Sequence, residues 1–303
     1  MEKREKLIGC LCAAFTIVVW GSTFISSKKL LEVYTPAQIM LVRFLLAYGA
    51  LWLARPRKLA LTRRQELTFL LLGITGCSLY FYTENSALTY TLASNVSIIV
   101  AAAPIFTAVL AHFAGLERFR SGTLLGFLVA FSGVVLVVCN GTFVLKLNPR
   151  GDLLALAAAA CWAVYSVLLR RLDDRLDPLL VTRRTLFWGI LTALPFVMME
   201  GTSFPAAALL SPVISLNFLF LGLIGSCLCF VLWNRAFHYL GVVTTNSFIY
   251  MQPFITIVAG WLFLREPISP LALVGAALIT VGVVAAQRSP KQTPPAEQPC
   301  RAE

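Results

Sequence analysis

A single carboxylate interrupts an apolar and aromatic stretch, LYFYTENSALTY, between Leu79 and Tyr90. On helical spacing Tyr80 and Glu84 share a face, so we expect both side chains to point into one space. An acidic side chain within an apolar helix is costly, and it commonly faces a bundle interior or a water-filled cavity. There it can exchange a proton or bind an ammonium group. Two structural alternatives stay open: Glu84 is hydrated near the helix end, or it pairs with Arg43.

Aromatic and amide side chains elsewhere in the chain are further candidates for a binding site. Trp20 and Trp162 each lie about a dozen residues into an apolar segment, away from the headgroup level where Trp is common. Such rings can form the wall of a cavity and hold a cation against their π face. Asn95, Tyr250 and Gln252 carry groups that can hydrogen-bond a solute. For each of these residues, packing between helices is the alternative.

The composition places these residues in a membrane protein. Of the 303 residues, 58% are hydrophobic and 13% are charged, whereas soluble domains are about half apolar and a quarter charged. The chain contains no HExxH motif and no GxxxxGK[ST] phosphate loop, and its two histidines are far apart. Its cysteines mostly lie in apolar runs, where they act as small hydrophobes. We therefore predict no enzyme, no metal and no cofactor.

Apolar windows of about 20 residues between charged or Pro/Gly-rich breaks predict an all-α membrane protein with ten transmembrane helices. The predicted helices cover residues 7–27, 36–54, 67–89, 93–114, 121–139, 151–170, 178–199, 215–236, 243–264 and 270–287. The polar, Pro-rich segment at 288–303 is predicted to be a disordered tail.

The distribution of Lys and Arg predicts the orientation, because positively charged loops resist translocation. With the N-terminus in the cytoplasm, seventeen of the 25 Lys and Arg residues fall inside and five fall outside. We therefore predict a multi-pass protein of the inner (cytoplasmic) membrane with both termini in the cytoplasm. The net charge of +11 is explained by this asymmetry, so we expect no nucleic-acid partner.

The chain contains an internal repeat. A shift of 149 residues aligns NSALTYTLASNVSIIVAAAPIF with NRAFHYLGVVTTNSFIYMQPFI without a gap, and a shift of 142 aligns the segments upstream. The matched pairs include Asn85 with Asn234, Pro104 with Pro253, and Trp20 with Trp162. Chance similarity between apolar segments does not explain matched polar and proline positions.

Two five-helix halves, residues 1–139 and 151–287, enter the membrane from opposite sides, because each half contains an odd number of helices. Inverted repeats of this kind are common among secondary transporters, whose substrate site lies near the midplane and whose access alternates. Pro104 and Pro253 are predicted to lie within helices four and nine, where proline removes a backbone hydrogen bond. They are hinge candidates, with a fixed kink as the alternative.

The sequence resembles the drug/metabolite transporter superfamily, EamA type, over nearly its whole length. The resemblance rests on WGSTF (Trp20 to Phe24), on ENSALTYTLASNVSIIVAAAPIFTAVLA, and on WNRAFHYLGVVTTNSFIYMQPFITIVAGWLFLREPIS. It implies a ten-helix bundle that acts as a small-molecule transporter, usually an exporter. The implied substrates range from amino acids and their analogues to other metabolites and drugs.

The expected partners are a small-molecule substrate and the lipid bilayer. Glycines seven residues apart on helices five and ten, Gly126 with Gly133 and Gly275 with Gly282, favour close helix contacts. In the family these helices resemble dimer-forming or repeat-buttressing ones, so a homodimer stays open. Without a phosphate loop, a proton gradient through Glu84 or the substrate gradient itself would drive transport. The alternative function is an uncoupled facilitator or a channel-like permease.

Overall fold

The computed structural model describes residues 3–57, 61–91, 93–116, 121–139, 149–172 and 176–264, and after these residues 274, 275, 277, 278, 281, 282 and 285. The predicted tenth helix therefore lies largely outside the described residues, and the predicted tail lies wholly outside them. Within the described residues the regular elements are helices, with no strand. The all-α prediction is confirmed for this part of the chain.

The helices are numbered in chain order. They are α1 (Lys3–Leu30), α2 (Pro36–Ala54), α3 (Arg63–Tyr90), α4 (Ala93–Val100), α5 (Ala103–Phe113), α6 (Ser121–Cys139), α7 (Pro149–Arg170), α8 (Pro178–Glu200), α9 (Pro212–Leu240), α10 (Val242–Ser247) and α11 (Gln252–Leu264). Among the described residues, α1, α2, α3, α7 and α9 are long and apolar enough to cross a membrane, and α5 is a shorter apolar helix.

Capping residues determine where α2 and α8 begin. Thr35 precedes α2, and its hydroxyl accepts a hydrogen bond from the backbone N–H of Gln38, whose side chain accepts one from Thr35 N–H at 3.2 Å. Asp177 precedes α8, and its carboxylate accepts from Leu179 N–H at 3.0 Å. In both helices a proline follows the cap, where its missing N–H has no cost. These caps satisfy backbone groups that a helix start leaves free.

Two long helices contain a π-helical segment at related positions. The segments are Ile74–Ser78 in α3 and Phe220–Leu228 in α9. Wide turns of this kind interrupt α-helices frequently at functional sites. The first segment ends just before Tyr80 and Glu84, and the second contains Ser226.

The two matched prolines lie at helix starts, which corrects the prediction that they lie within continuous helices. A turn at Ala101 and Ala102 separates α4 from α5, and Pro104 is in the first turn of α5. A 3₁₀ turn at Phe248–Met251 separates α10 from α11, and Pro253 is the second residue of α11. The physical reason is that proline has no N–H and its ring clashes with the carbonyl four residues earlier.

The helices pack in a defined set of pairs. Helix α1 packs against α9 and α11, α7 packs against α3 and α5, α2 packs against α9, and α3 packs against α8. Helices α2 and α8 also pack against each other. This arrangement brings α1, α2, α3, α7 and α11 around one interior region.

Hydrogen bonds join the helices at one end of the bundle, which we call the Lys28 end. The ammonium of Lys28 donates to the carbonyl of Leu88 at 2.5 Å and to that of Thr91 at 3.0 Å. The side-chain amide of Gln38 donates to Thr202 Oγ1 at 3.2 Å. These bonds tie α1 to the end of α3, and α2 to the segment that follows α8.

Ion pairs join the helices at the opposite end, which we call the Asp177 end. Arg55 Nε lies 3.3 Å from Asp177 Oδ2, and Arg184 Nη2 lies 2.5 Å from Glu66 Oε1. The guanidinium of Arg183 donates to the backbone carbonyl of Arg55. Helix α8 is thereby fixed to the end of α2 and to the start of α3.

One of the glycines predicted to favour close helix contacts on helices five and ten makes such a contact within the chain. Gly282 lies against α6, where an added Cβ would come within 2.3 Å of Ala130 N and 2.6 Å of the Gly126 carbonyl. Glycine is therefore needed for this close approach, independently of any second copy. The homodimer stays a prediction.

Candidate functional site

Side chains from α1, α2, α3, α7 and α11 line a small cavity inside the bundle, which we call the central cavity. Its volume of about 20 Å³ is enough for about one water molecule. The lining residues are Trp20, Thr23, Arg43, Tyr80, Phe81, Glu84, Trp162 and Gln252. The structure thus brings together five of the predicted substrate-binding residues, namely Trp20, Tyr80, Glu84, Trp162 and Gln252.

Glu84 is buried in the wall of the central cavity. The residue is 6% exposed, so its side chain is not hydrated at a helix end. The hydroxyl of Tyr80, one turn earlier on α3, donates to Glu84 Oε1 at 2.7 Å. This is the geometry that helical spacing predicts for residues four apart. Glu84 therefore presents a fixed carboxylate to the cavity.

Arg43 enters the same cavity from α2 and is 1% exposed. Its Nε donates to Ser226 Oγ at 2.8 Å, and its guanidinium carbon lies 4.1 Å from the centroid of the Phe81 ring. The ring face attracts a cation. Among the described residues, neither Nη1 nor Nη2 has a hydrogen-bond partner.

Arg43 and Glu84 share the cavity without forming an ion pair. Of the described acidic side chains, none lies within 4.0 Å of the Arg43 guanidinium nitrogens. The predicted alternative of a Glu84–Arg43 pair is therefore not formed as a direct ion pair, although the two charges interact through space across the cavity. The reason is geometric, because Ser226 and Phe81 hold the guanidinium while Tyr80 holds the carboxylate.

Two indole rings contribute to the aromatic part of the cavity wall, together with Tyr80 and Phe81. The ring centroids of Trp20 and Trp162 lie 5.2 Å apart in an edge-to-face arrangement. Trp20 Nε1 donates to the Gly225 carbonyl at 2.9 Å, and Trp162 Nε1 donates to Asn246 Oδ1 at 2.9 Å. Because both N–H groups are satisfied by other helices, the ring orientations are fixed.

Gln252 is the first residue of α11, and its buried side chain lines the cavity. One turn later, Thr256 donates a hydrogen bond to the Gly21 carbonyl at 3.0 Å. The start of α11 is therefore attached to α1 next to Trp20.

The remaining predicted site residues lie elsewhere. Tyr250 is buried in a second cluster, with its ring 5.7 Å from that of Phe127, and it does not line the central cavity. The side chain of Asn95 lies outside the described part of the chain. Pro104 and Pro253 are at helix starts, as described above.

Sequence reasoning did not select three residues that shape the site. Phe81 and Ser226 hold Arg43, and nothing in their type or spacing distinguishes them from ordinary packing residues. Trp233 is fully buried with its ring 4.9 Å from that of Trp20. A signal for Trp233 was present, because the shift of 149 places it on Glu84.

A larger pocket lies at the Asp177 end, with a volume of about 400 Å³. Its wall comes from α7, α8, α9 and the α7–α8 connection. The polar lining residues are Arg170, Asp177, Asn234, Arg235, His238 and Tyr239. This pocket lies at the end where ion pairs join α8 to α2 and α3.

The site is suited to binding rather than to bond-making chemistry. It offers a buried carboxylate, a buried guanidinium and aromatic faces around one space. The described residues contain no group of three or more His, Cys, Asp or Glu side chains that could hold a metal ion.

Comparison with known proteins gives one family. Residues 7–139 and residues 149–286 each match the EamA-like transporter family. An uncharacterized transporter of Archaeoglobus fulgidus is 28% identical, over 90% of this chain and 95% of its own length. A protein of Streptantibioticus cattleyicolor named "probable terminal-alkyne amino-acid exporter" is 31% identical, over 94% of this chain and 95% of its own length.

A solved crystal structure is similar in fold, with a TM-score of 0.75 at 22% identity over 94% of this chain and 97% of that one. The family match covers both halves of the chain, and these relatives are named as transporters or exporters. The long apolar helices agree with that class. The chain therefore belongs to the EamA-like transporter family, and it is a multi-pass membrane transporter rather than an enzyme.

Proposed function

We propose that the chain is a secondary transporter that exports a small amino-acid-like metabolite or drug by alternating access around the central cavity. The observation that carries this proposal is the convergence of a buried carboxylate, a buried guanidinium and two indole rings from helices of both halves. Ionisable side chains inside a membrane bundle are costly and commonly mark substrate or ion pathways.

Matching close contacts support an architecture of two five-helix repeats. An added Cβ on Gly73 would lie 2.6 Å from Trp188 Cβ, and one on Gly222 would lie 2.7 Å from Leu46 Cβ. The shift of 149 relates Gly73 to Gly222, and the shift of 142 relates Leu46 to Trp188. The same contact is therefore made twice, with the halves exchanged.

The pairing of whole helices supports the same architecture. Under these shifts α1, α2 and α3 correspond to α7, α8 and α9. The contact of α1 with α9 then corresponds to that of α7 with α3, and the contact of α2 with α9 corresponds to that of α8 with α3. Helices α2 and α8 exchange with each other, as expected for partners across a twofold axis.

The two ends of the bundle support alternating access. The Asp177 end contains the pocket of about 400 Å³ beside the ion pairs of α8, and Lys28 and Gln38 bridge helices at the Lys28 end. An inverted repeat can exchange these conditions by rocking one half against the other. The central cavity would then communicate with each side in turn.

Charge supports an orientation with the Asp177 end in the cytoplasm. Arg55, Arg57, Arg63, Arg64 and Arg170 lie at helix ends on this side. Lys and Arg are enriched in cytoplasmic loops of membrane proteins. Both termini would then be cytoplasmic, in the inner membrane, with the pocket open to the cytoplasmic solute that is exported.

Glu84 is the candidate for proton coupling. Among the described residues, the charged and titratable groups around it are Tyr80 on its own helix and Arg43 on α2. A carboxylate that releases a proton when substrate binds would couple the two movements. The alternative is an uncoupled facilitator or a channel-like permease, in which Glu84 only contributes to substrate contact.

Transport by purified protein in liposomes tests this proposal. The proteoliposomes are loaded inside with unlabelled standard amino acids or with amphipathic drugs. Counterflow, the uptake of labelled solute from outside, is then measured with and without a pH gradient. We expect wild type to move at least one of these solutes, faster with the gradient. Glu84→Gln is expected to lose most of this transport and its response to the gradient.

Glu32→Gln is the matched control, because Glu32 lies at the surface and pairs with Lys29 at 2.6 Å, away from the cavity. It is expected to transport like wild type. Transport by wild type that ignores the gradient would favour the facilitator. Normal transport by Glu84→Gln would remove Glu84 from the mechanism, and absence of any counterflow would contradict the proposed transport.

A further inference from the structure

The guanidinium of Arg43 is a buried cation whose hydrogen-bonding capacity is only partly used. Its Nε is satisfied by Ser226 at 2.8 Å, and Phe81 covers one face at 4.1 Å. Nη1 and Nη2 are buried, and neither has a partner among the described residues. Buried polar groups without partners are rare in folded proteins and call for an explanation.

The acidic side chains of the described residues do not supply the missing partner. Glu84 is bonded to Tyr80, Glu66 pairs with Arg184, and Asp177 pairs with Arg55. Glu200 accepts a hydrogen bond from the backbone N–H of Ala37. Glu84 interacts with Arg43 through space, but it leaves Nη1 and Nη2 without a hydrogen-bond partner. Leaving such buried groups unsatisfied is unfavourable, so an external anion is a suitable partner.

Arg43 lines the central cavity together with Glu84 and Trp20. A guanidinium with two open nitrogens is matched to a planar carboxylate, because both can form two parallel N–H···O bonds. Ser226 and Phe81 hold the guanidinium fork in place, so little orientational freedom is lost when an anion binds.

On these grounds we propose, building on the transport function above, that Arg43 binds the carboxylate of the substrate and thereby restricts it to zwitterions of the amino-acid class. Glu84, held by Tyr80 in the same cavity, receives the ammonium group. Because the cavity has room for about one water molecule, binding requires that the cavity widen. Arg43 is thus a specificity-determining residue, and Ser226 is a positioning residue.

Ligand binding by the purified full chain in detergent tests this inference separately from transport. Thermal unfolding is measured with each standard L-amino acid, with its methyl ester and with the amine that lacks the carboxylate. We expect at least one amino acid to stabilise wild type, while its ester and amine have no effect. Arg43→Met is expected to weaken that amino acid's affinity on the order of a hundredfold.

Arg43→Lys keeps the charge but loses the fork, and we expect it to recover only part of the affinity. Arg183→Lys is the matched control, because Arg183 is also buried but its guanidinium is bonded to the carbonyls of Arg55 and Arg57. It is expected to lower the unfolding temperature without changing the preference for the carboxylate. Ser226→Ala is expected to weaken amino-acid binding less than Arg43→Met.

The inference is overturned if no amino acid stabilises wild type, or if ester and acid bind equally well. It is also overturned if folded Arg43→Lys, with a cooperative unfolding transition, keeps the wild-type affinity and preference. Carboxylate-dependent binding without counterflow in liposomes would support the inference and contradict the proposed transport. Counterflow that treats amine and amino acid alike would support transport and overturn the inference.

Discussion

The hydrogen bond between Tyr80 and Glu84 determines which charged groups of the central cavity remain available to a substrate. It holds the carboxylate on α3 at an O···O distance of 2.7 Å. Without this bond the carboxylate could turn towards Arg43, whose Nη1 and Nη2 have no partner among the described residues. Glu84 and Arg43 would then pair with each other, and neither would be available to the substrate. Tyr80 therefore acts through Glu84 rather than only by filling space.

Tyr80→Phe tests this role, because it removes the hydroxyl and keeps the ring. A hydrogen bond to a charged group is worth about 1.5–3 kcal/mol, and part of this is regained by new contacts. We expect the dissociation constant of the stabilising amino acid to rise by a factor of about 5–30, as measured by thermal unfolding at increasing ligand concentration.

Tyr48→Phe provides the matched control for that substitution. The Tyr48 ring packs 6.4 Å from that of Phe187, outside the central cavity. Removing the Tyr48 hydroxyl is expected to leave ligand affinity unchanged. Equal affinities in wild type and Tyr80→Phe would show that the Tyr80 hydroxyl does not keep Glu84 available.

At the residue scale, contacts within one helix could be predicted from the spacing of residues, whereas contacts between distant helices could not. Four-residue spacing placed Tyr80 beside Glu84, as the structure has them. The environment of Arg43 could not be predicted, because Ser226 is 183 positions away. The apolar segment around Arg43 predicts that this residue is buried. The identity of its partner depends on how two distant helices face each other, which the segment does not determine.

At the scale of elements, the two π-helical segments make related contacts of very different tightness. An added Cβ on Gly76 would lie 2.1 Å from Tyr165 Cδ2, whereas one on Gly225 would lie 3.1 Å from Thr23 Cγ2. The shifts of 149 and 142 relate Gly76 to Gly225 and Thr23 to Tyr165. The same helix crossing is therefore closed by a rigid aromatic ring in one half and by a methyl group in the other.

Alanine substitutions measure this difference. We expect Gly76→Ala to destabilise the protein by about 1–3 kcal/mol, because the Tyr165 ring must move away. Gly225→Ala is expected to cost less, since the Thr23 methyl can shift by a few tenths of an ångström. The measurement is the midpoint of thermal or detergent-induced unfolding for each variant.

Gly49→Ala is the control for helix propensity alone, because no heavy atom lies within 4 Å of its added Cβ. Within α2 this change is expected to be neutral or stabilising by about 0.5–1 kcal/mol. Equal losses in Gly76→Ala and Gly225→Ala would contradict the assigned difference in packing.

Helix positions could be predicted from hydropathy, whereas helix continuity could not. The predicted 36–54 coincides with Pro36–Ala54, and 178–199 differs by one residue from Pro178–Glu200. The predicted 93–114 and 243–264 are each divided before a proline. Hydropathy averages over many side chains, and it does not report the loss of one or two backbone hydrogen bonds.

At the scale of the whole molecule, Lys28 is a residue that bridges two helices at one end of the bundle. Its ammonium joins α1 to the last carbonyls of α3, where the partial negative charge of a helix C-terminus favours a cation. The shift of 142 places Arg170, which lines the Asp177-end pocket, at the corresponding position. The alternating access that we propose requires that the Lys28 contact be broken during each cycle.

Lys28→Met is therefore expected to favour opening at the Lys28 end. Removing these two contacts from a largely exposed side chain is worth about 1 kcal/mol, or about a fivefold change in the population of the open form. The reporter is Ser27→Cys, a nearly isosteric change at a buried site, in a chain whose eight native cysteines are replaced. We expect a polar maleimide to modify this cysteine about fivefold faster in Lys28→Met, with the protein held in lipid nanodiscs so that both faces meet the reagent.

Lys29→Met separates this contact from a general effect of charge, because Lys29 forms a surface ion pair with Glu32 at 2.6 Å, and such pairs contribute little. It is expected to leave the modification rate of Ser27→Cys unchanged. A second reporter, His238→Cys, faces the pocket at the Asp177 end, and it is expected to react more slowly in Lys28→Met, because opening at one end closes the other. Faster reaction at both reporters would indicate general loosening of the bundle, and unchanged rates at both would show that Lys28 does not hold the Lys28 end closed.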